Sequence, residues 1–210
     1  MTHQGPNGGY SKGRADTMTG KTDAFSLTGK LLLAMPGMAD PRFHRSVIFM
    51  CAHDANGAMG LVINNVLPGV DFGTLLGQLN IDTPKELRAA PKLQVLSGGP
   101  VESARGFVLH SQEYTQKDTV RIEGGFGVTG TVDALKAIAE NRGPEKMLFI
   151  LGYSGWGAGQ LDKELQDNAW LVTEAEAGVI FGTEADHKWD MAIRKMGIDP
   201  AMLSGEAGRA

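Results

Sequence analysis

The segment FILGYSGWGAGQLDKEL, Phe149 to Leu165, passes from an apolar run through four glycines into a charged stretch. That order reads as a strand, a glycine turn and a helix, the layout shared by nucleophile elbows, phosphate loops and dinucleotide loops. The spacing fits none of them. An elbow needs glycine two residues after Ser154, where Trp156 stands. A dinucleotide fingerprint begun at Gly155 continues to Gly157 and then meets Gln160 in place of its third glycine. The Gly-Lys-Ser/Thr ending of a phosphate loop is missing. The segment therefore reads as architecture first: small residues let the chain reverse beneath Trp156, and the helix start leaves N–H groups for Gln160 or a bound anion to satisfy.

Working outward, the C-terminal side continues as a helix to about Asp167, a strand over Trp170–Thr173 and a last helix carrying Trp189 and Ile193. On the N-terminal side, Thr131 caps a helix with Leu135, Ile138 and Ala139 on one face, stopped by Gly143-Pro144. Before it, Thr119–Gly130 reads as a hairpin around Gly124-Gly125, and LQVLSGGP and GFVLHS read as strands separated by VESAR. Lys30–Met35 and Ser46–Ala52 are apolar runs. The second leads through Asp54-Ala55-Asn56-Gly57 into a returning strand, Gly60–Asn65. Leu75, Leu76 and Leu79 predict a helix after Asp71, and Pro84 sets another near Thr83. Early hairpins followed by alternating helices and strands predict a single α+β domain, residues 25–210, with a mixed sheet. Residues 1–24 are poor in apolar side chains and read as a flexible tail.

Of 210 residues, 42% are hydrophobic and 21% charged, enough for one substantial core. Lys12, Arg14 and Lys21 against Asp16 give residues 1–22 a charge of +2, which leaves −6 on the rest of a −4 chain. An acidic body opposes strong duplex DNA binding. The single cysteine, Cys51, excludes an internal disulfide framework and suits the cytoplasm. No apolar stretch is long enough for a membrane span.

Several groups carry possible chemistry. Cys51 and His53, two apart on a strand, share a face by alternation and would form a thiolate–base pair if adjacent; the stronger reading is a buried, unreactive thiol. His44, His53, Asp54 and His110 have no metal-ligand spacing, and the sequence calls for no cofactor. Gly98 and Gly99, after a strand and near Arg105, offer backbone N–H groups and a cation to a small anion. Trp156 and Tyr153 at the glycine turn would wall a pocket, with Gln160 at the start of the following helix offering hydrogen bonds. Gly98, Gly99, Arg105, Trp156 and Gln160 are the candidate ligand-binding residues. Asp162, Glu164 and Asp167 read as a solvated helix face.

Four blocks together, GKLLLAMPGMADPRFHRSVIFM (Gly29–Met50), NGAMGLVINN (Asn56–Asn65), LSGGPVESARGFVLH (Leu96–His110) and GYSGWGAGQLDKELQDNAWLV (Gly152–Val172), resemble the AlgH/YqgE family of bacterial proteins. The likeness runs from about residue 28 to 198 and includes WDMAIRKMGID. It departs after GLVINN, where Val66-Leu67 precede a proline expected sooner. The resemblance implies one α+β domain of coiled, partly split sheets flanked by helices, and it transfers no catalytic residues; some members carry a transcriptional-regulator label through a link with alginate production. The function expected is a cytoplasmic ligand- or partner-binding protein with a regulatory role, its partner a small anionic ligand or a protein. The alternatives are an enzyme using Arg105, His110 or the Cys51–His53 pair, and a DNA-binding regulator using the basic tail.

Overall fold

The computed structural model describes residues 26–81 and 93–203. The tail at 1–24 and the helix expected near Thr83 lie outside the described residues. Ten strands form one mixed sheet: β1 (Lys30–Ala34), β2 (Val47–Asp54), β3 (Gly57–Val62), β4 (Val66–Asp71), β5 (Gln94–Ser97), β6 (Val101–Ser111), β7 (Val120–Ile122), β8 (Phe126–Thr129), β9 (Met147–Gly157) and β10 (Trp170–Glu174). The helices are α1 (Phe72–Gln78), α2 (Val132–Ala139), α3 (Gln160–Gln166), α4 (Ala177–Gly182) and α5 (Lys188–Lys195).

The main path runs β10-β1-β2-β3-β9-β6-β8-β7, with every neighbour antiparallel. The β4–β5 pair joins it through β5, which lies parallel to β9 at Val95–Ser97 against Phe149–Leu151. Both predicted hairpins form, with Ala55-Asn56 and Glu123–Gly125 as their loops. Strand β4 and helix α4 have no counterpart in the sequence reading. Five of the six β4 side chains are exposed, so β4 lacks the apolar alternation that marks a strand.

Alternation along the strands separates three apolar clusters. Leu31, Leu33, Val47, Phe49 and Ile150 pack with Trp189 and Ile193 of α5 and Ile180 of α4. On the opposite face, Leu32, Ile48 and Met50 pack with Trp156, Trp170 and Leu161 of α3. A third cluster joins α1 and α2 to Val95, Val108 and Phe149. Trp189 anchors α5 by donating its indole N–H to the Ala34 carbonyl oxygen (2.9 Å).

Strand β9 holds these clusters together and corrects the reading of the glycine segment. The chain does not turn at Gly152; it remains strand to Gly157, and the turn falls at Ala158-Gly159. Gly152 instead makes a left-handed step (φ +72°) inside the strand. Before it, Leu148 and Ile150 face the first cluster; after it, Tyr153 does so too, so the alternation slips by one. Opposite this step, β6 runs from Val101, paired with Tyr153, to Gly106, paired with Leu151. The extra residues of β6 bulge out as the exposed Glu102–Arg105 segment, so VESAR lies within a strand. A Cβ at Gly152 would stand 2.8 Å from the Gly99 carbonyl oxygen, which is why the step requires glycine.

Candidate functional site

The five residues expected to bind a ligand fall into three places along β9 and its neighbours. Gly98 and Gly99 leave β5 pressed against the β9 backbone. The Gly98 N–H donates to the Leu151 carbonyl oxygen (2.8 Å). The Gly98 carbonyl oxygen accepts from the Val62 N–H (3.0 Å) and the Ser154 hydroxyl (3.1 Å). A Cβ on Gly99 would sit 2.4 Å from Ser154 Oγ. Ser154 is 1% exposed and held by this contact. Arg105 pairs with Glu102 (2.9 Å) and lies 5.1 Å from the Phe107 ring centroid, on the outward bulge.

Trp156 and Gln160 do meet, around a residue that the sequence reading placed on a solvated face. Glu164 is half-buried. Its Oε2 accepts the indole N–H groups of Trp156 (2.9 Å) and Trp170 (2.8 Å), whose rings stack edge to face 6.0 Å apart. Its Oε1 accepts the Gln160 amide (2.9 Å), and Gln160 Oε1 accepts the Gly157 N–H (3.1 Å) across the turn. One carboxylate thus ties β9, α3 and β10 together. Helical spacing set Glu164 apart from Asp162 and Asp167, but only tertiary structure brings both tryptophans to it.

The potential catalytic groups are each engaged. A register shift between Met50 and Ala52 sends Cys51 and His53 to different faces, so they do not share one. Cys51 packs on the α4–α5 cluster, and burial pushes its thiol up to about 12. His53 turns toward Asp162 on α3 (3.8 Å) and accepts the Leu27 N–H at Nδ1 (3.3 Å). His110 is fully buried, with Nδ1 2.9 Å from the Ser111 carbonyl oxygen and Nε2 2.9 Å from Thr129 Oγ1. Among the described residues no group of three or more His, Cys, Asp or Glu side chains could hold a metal ion.

A large concavity lies elsewhere and includes none of the five candidates. It is a groove of about 990 Å³ between α1, the end of α2, the starts of β5 and β9, and the α4–α5 junction. Phe72, Leu76, Leu96, Ile138, Met147, Leu148 and Phe181 wall it. Asp71, Asn141, Glu145, Thr183 and Glu184 supply its polar edge, and the buried Lys188 lies at its floor. Asp71 is committed to capping α1, through the Thr74 N–H (2.8 Å) and hydroxyl (2.6 Å). Gly77 and Gly182 also line the groove, and a Cβ at either would meet nothing within 4 Å.

Lys188 is 3% exposed. Its ammonium donates to the carbonyl oxygens of Ile180 (2.8 Å) and Thr183 and, at 3.4 Å, Val179, closing the C-terminal end of α4. Burial pushes it down to about 8, with the nearby charge of Glu184 opposing. Among the described residues no carboxylate stands within ion-pair distance of it. Sequence reasoning missed Lys188 because it missed α4; the apolar Val179-Ile180-Phe181 run before a lysine was the available signal.

Comparison with known proteins gives the family. An AlgH-like family model matches residues 31–201. A UPF0301 protein of Rhodopseudomonas palustris is 46% identical over 98% of this chain and 97% of its own length. One from Bradyrhizobium is 51% identical over 88% of each. The solution structure of AlgH from Pseudomonas aeruginosa superposes with a TM-score of 0.72 at 38% identity, covering 90% of this chain and 99% of that one. A Corynebacterium diphtheriae protein shares the fold at 18% identity, with a TM-score of 0.64 over 84% of this chain and 88% of its own. The chain belongs to the AlgH-like family, and the expected α+β fold is the one observed.

Proposed function

We propose that this chain is a cytoplasmic ligand-binding protein with a regulatory role, and that its ligand is an amphipathic acid held in the α1–α2–α4 groove. The observation that carries the reading is the groove itself. Its volume, about 990 Å³, is of the size that holds a small organic molecule, and it combines apolar walls with polar groups. Burying the ligand's apolar body contributes about 25 cal/mol per Å² of surface removed from water. The anionic end expected from the sequence finds its cation here in Lys188, since Arg105 is already paired with Glu102. Lys188 is held by neutral carbonyls, so an anion reaching the groove floor favours its charged form. Glu145 and Glu184 are exposed at the edge, where solvent and salt screen them. Occupancy stabilises the helices that form the walls. A partner reading the α1 and α4 surfaces would sense that change, which is the regulatory step.

The test is thermal shift and calorimetry with octanoate and decanoate against alkylamines of the same length. Decanoate should raise the melting temperature more than decylamine does, and Gly77→Phe, which fills the groove without a Cβ clash, should abolish the effect. No stabilisation by either chain, or undiminished binding in Gly77→Phe, overturns the reading.

A further inference from the structure

A second, smaller pocket of about 330 Å³ opens beside the β7–β8 hairpin, away from the groove. Tyr114, Thr119, Arg121 and Glu123 line it, together with the turn glycines and Gly127. The strand register places a position without a side chain, Gly127, in its wall. Arg121 pairs with Gly127, and Gly127 pairs with His110, so the three form one row across β7, β8 and β6. Residues directly opposite in antiparallel strands project to the same face. The middle member has no side chain, and the His110 ring fills its place: a Cβ at Gly127 would lie 2.4 Å from His110 Cε1. The imidazole therefore extends over Gly127 on the face that carries Arg121.

The hydrogen bonds fix the tautomer. Nδ1 faces the Ser111 carbonyl oxygen, which can only accept, so Nδ1 carries the hydrogen. In neutral imidazole Nε2 must then accept, and Thr129 Oγ1 donates to it (2.9 Å). With its hydrogen so used, Thr129 Oγ1 accepts from Thr119 Oγ1 (2.7 Å). Thr119 also accepts the Gln116 N–H (2.9 Å), and it lines the pocket. A hydroxyl chain thus leads from the pocket wall to a fully buried histidine.

We infer that this pocket is an oxyanion site, for a phosphate or a small carboxylate, whose occupation is coupled to protonation of His110. Arg121 makes no ion pair among the described residues and lines the pocket with Thr119 and with Tyr114, whose hydroxyl accepts the Gln116 amide (2.6 Å). Burial is the main influence keeping His110 short of its ordinary affinity for a proton; the Ser111 carbonyl and Glu113 pull the other way. Other charged or titratable side chains around it include Tyr114, whose ring lies edge to face 5.1 Å from the imidazole, Arg142, whose charge acts on Tyr114, Arg121 and Glu123 of the hairpin, and Lys146, next to Met147 of the facing strand. An anion on Arg121 cancels the cation across the row, and so favours the charged imidazole.

The proton balance closes. A proton delivered at Thr119 Oγ1, by the incoming acid or by a hydronium ion from solvent, lets Thr119 pass its own hydrogen to Thr129 and Thr129 pass its own to Nε2. Afterwards Nε2–H donates to Thr129, Thr129 to Thr119, and Thr119 to the anion. Every group in the chain remains bonded in both states, so the buried histidine changes charge without orphaning a neighbour.

The experiment is an NMR titration of the full chain at constant ionic strength with inorganic phosphate, and in parallel with succinate to separate phosphate from carboxylate recognition. Backbone amides of residues 121–127 should shift with either anion. The His110 imidazole nitrogens should move from the Nδ1–H neutral pattern to the charged pattern, at a pH at least about one unit higher than without anion. Arg121→Gln should weaken binding tenfold or more. Calorimetry in two buffers of different ionisation enthalpy should show proton uptake that His110→Gln removes while binding persists. Absence of shifts at 121–127 with both anions overturns the site. Binding with His110 neutral throughout overturns the coupling, and that readout on the unsubstituted chain does not depend on whether the His110 variant folds.

Discussion

The two ends of strand β9 differ in how they are finished. At the C-terminal end, Ser154 and Trp156 each find a hydrogen-bond partner, and two indoles, an amide and one carboxylate close the space between β9, α3 and β10. At the N-terminal end, Met147 and Leu148 face a groove whose opposite walls leave room for added side chains. One strand thus belongs to a closed core at one end and to an open site at the other, and the left-handed step at Gly152 separates them. A concentrated run of aromatic and glycine residues marks the closed end, whereas the residues of the open end are scattered along the chain.

The sharpest way to break this contrast is to open the closed end. Trp156 is 7% exposed and packs on Trp170 and the apolar face of α3. Trp156→Ala should cost about 3–5 kcal/mol, read as a lowered urea midpoint with an unchanged slope. Glu164→Ala, which leaves both indole N–H groups without their acceptor, should cost about 1–3 kcal/mol. If Trp156→Ala lost under about 1 kcal/mol, the clamp would not be holding β10 to α3, and the closed end would be no tighter than the groove.

A second contrast concerns charge. Glu164 is half-buried with access to solvent, whereas Lys188 is buried at the groove floor and pushed down to about 8. Its folded-state pKa lies below the unfolded value. At pH 7 both states hold the proton, and the folded state bears the desolvation cost. Between about pH 8 and its ordinary value, the unfolded chain keeps a proton that the folded chain has released, so stability rises with pH by at most about 3 kcal/mol. Unfolding titrations from pH 7 to 9.5 should show this rise, and Lys188→Met should flatten it. Above pH 10 the half-buried Tyr114, which resists ionisation in the fold, pulls stability the other way. A flat profile in the unsubstituted chain would mean that Lys188 is solvated in solution and that the groove floor is not dry.

Much of the fold was legible because the signals were local. Asn56-Gly57 and Gly124-Gly125 sit between apolar runs and specify their hairpins, and the Thr131 hydroxyl caps α2 where expected, accepting from the Ala134 N–H (3.4 Å). Strand β4 was not legible, because its exposed side chains leave no apolar period. The site was less legible for a different reason. Gly98, Gly99 and Arg105 have the composition of an anion loop, but the Gly98 amide is spent on Leu151 and Arg105 on Glu102. Backbone pairing across a parallel junction has no sequence signature. The groove is assembled from α1, α2, β5, β9 and α4, with lining residues from 63 to 188, and no window of sequence spans it.

Glycine-to-alanine exchange at the two ends gives the smallest effect and the most direct comparison. At Gly152 the backbone is left-handed and a Cβ would press on the Gly99 and Val101 carbonyl oxygens at 2.8 and 3.0 Å. Gly152→Ala should therefore destabilise, by at least about 1 kcal/mol for the backbone conformation alone. Gly77 lies inside helix α1, where an added Cβ meets nothing within 4 Å. Alanine there has a better helix propensity and restricts the unfolded chain, so Gly77→Ala should stabilise by about 0.5–1 kcal/mol. The two exchanges remove the same freedom from the unfolded state, and their opposite signs would come entirely from what surrounds the new methyl group. Paired denaturant curves decide it. If Gly77→Ala lowers the midpoint, something occupies the groove beside α1 in solution, and the open end of β9 is closed after all.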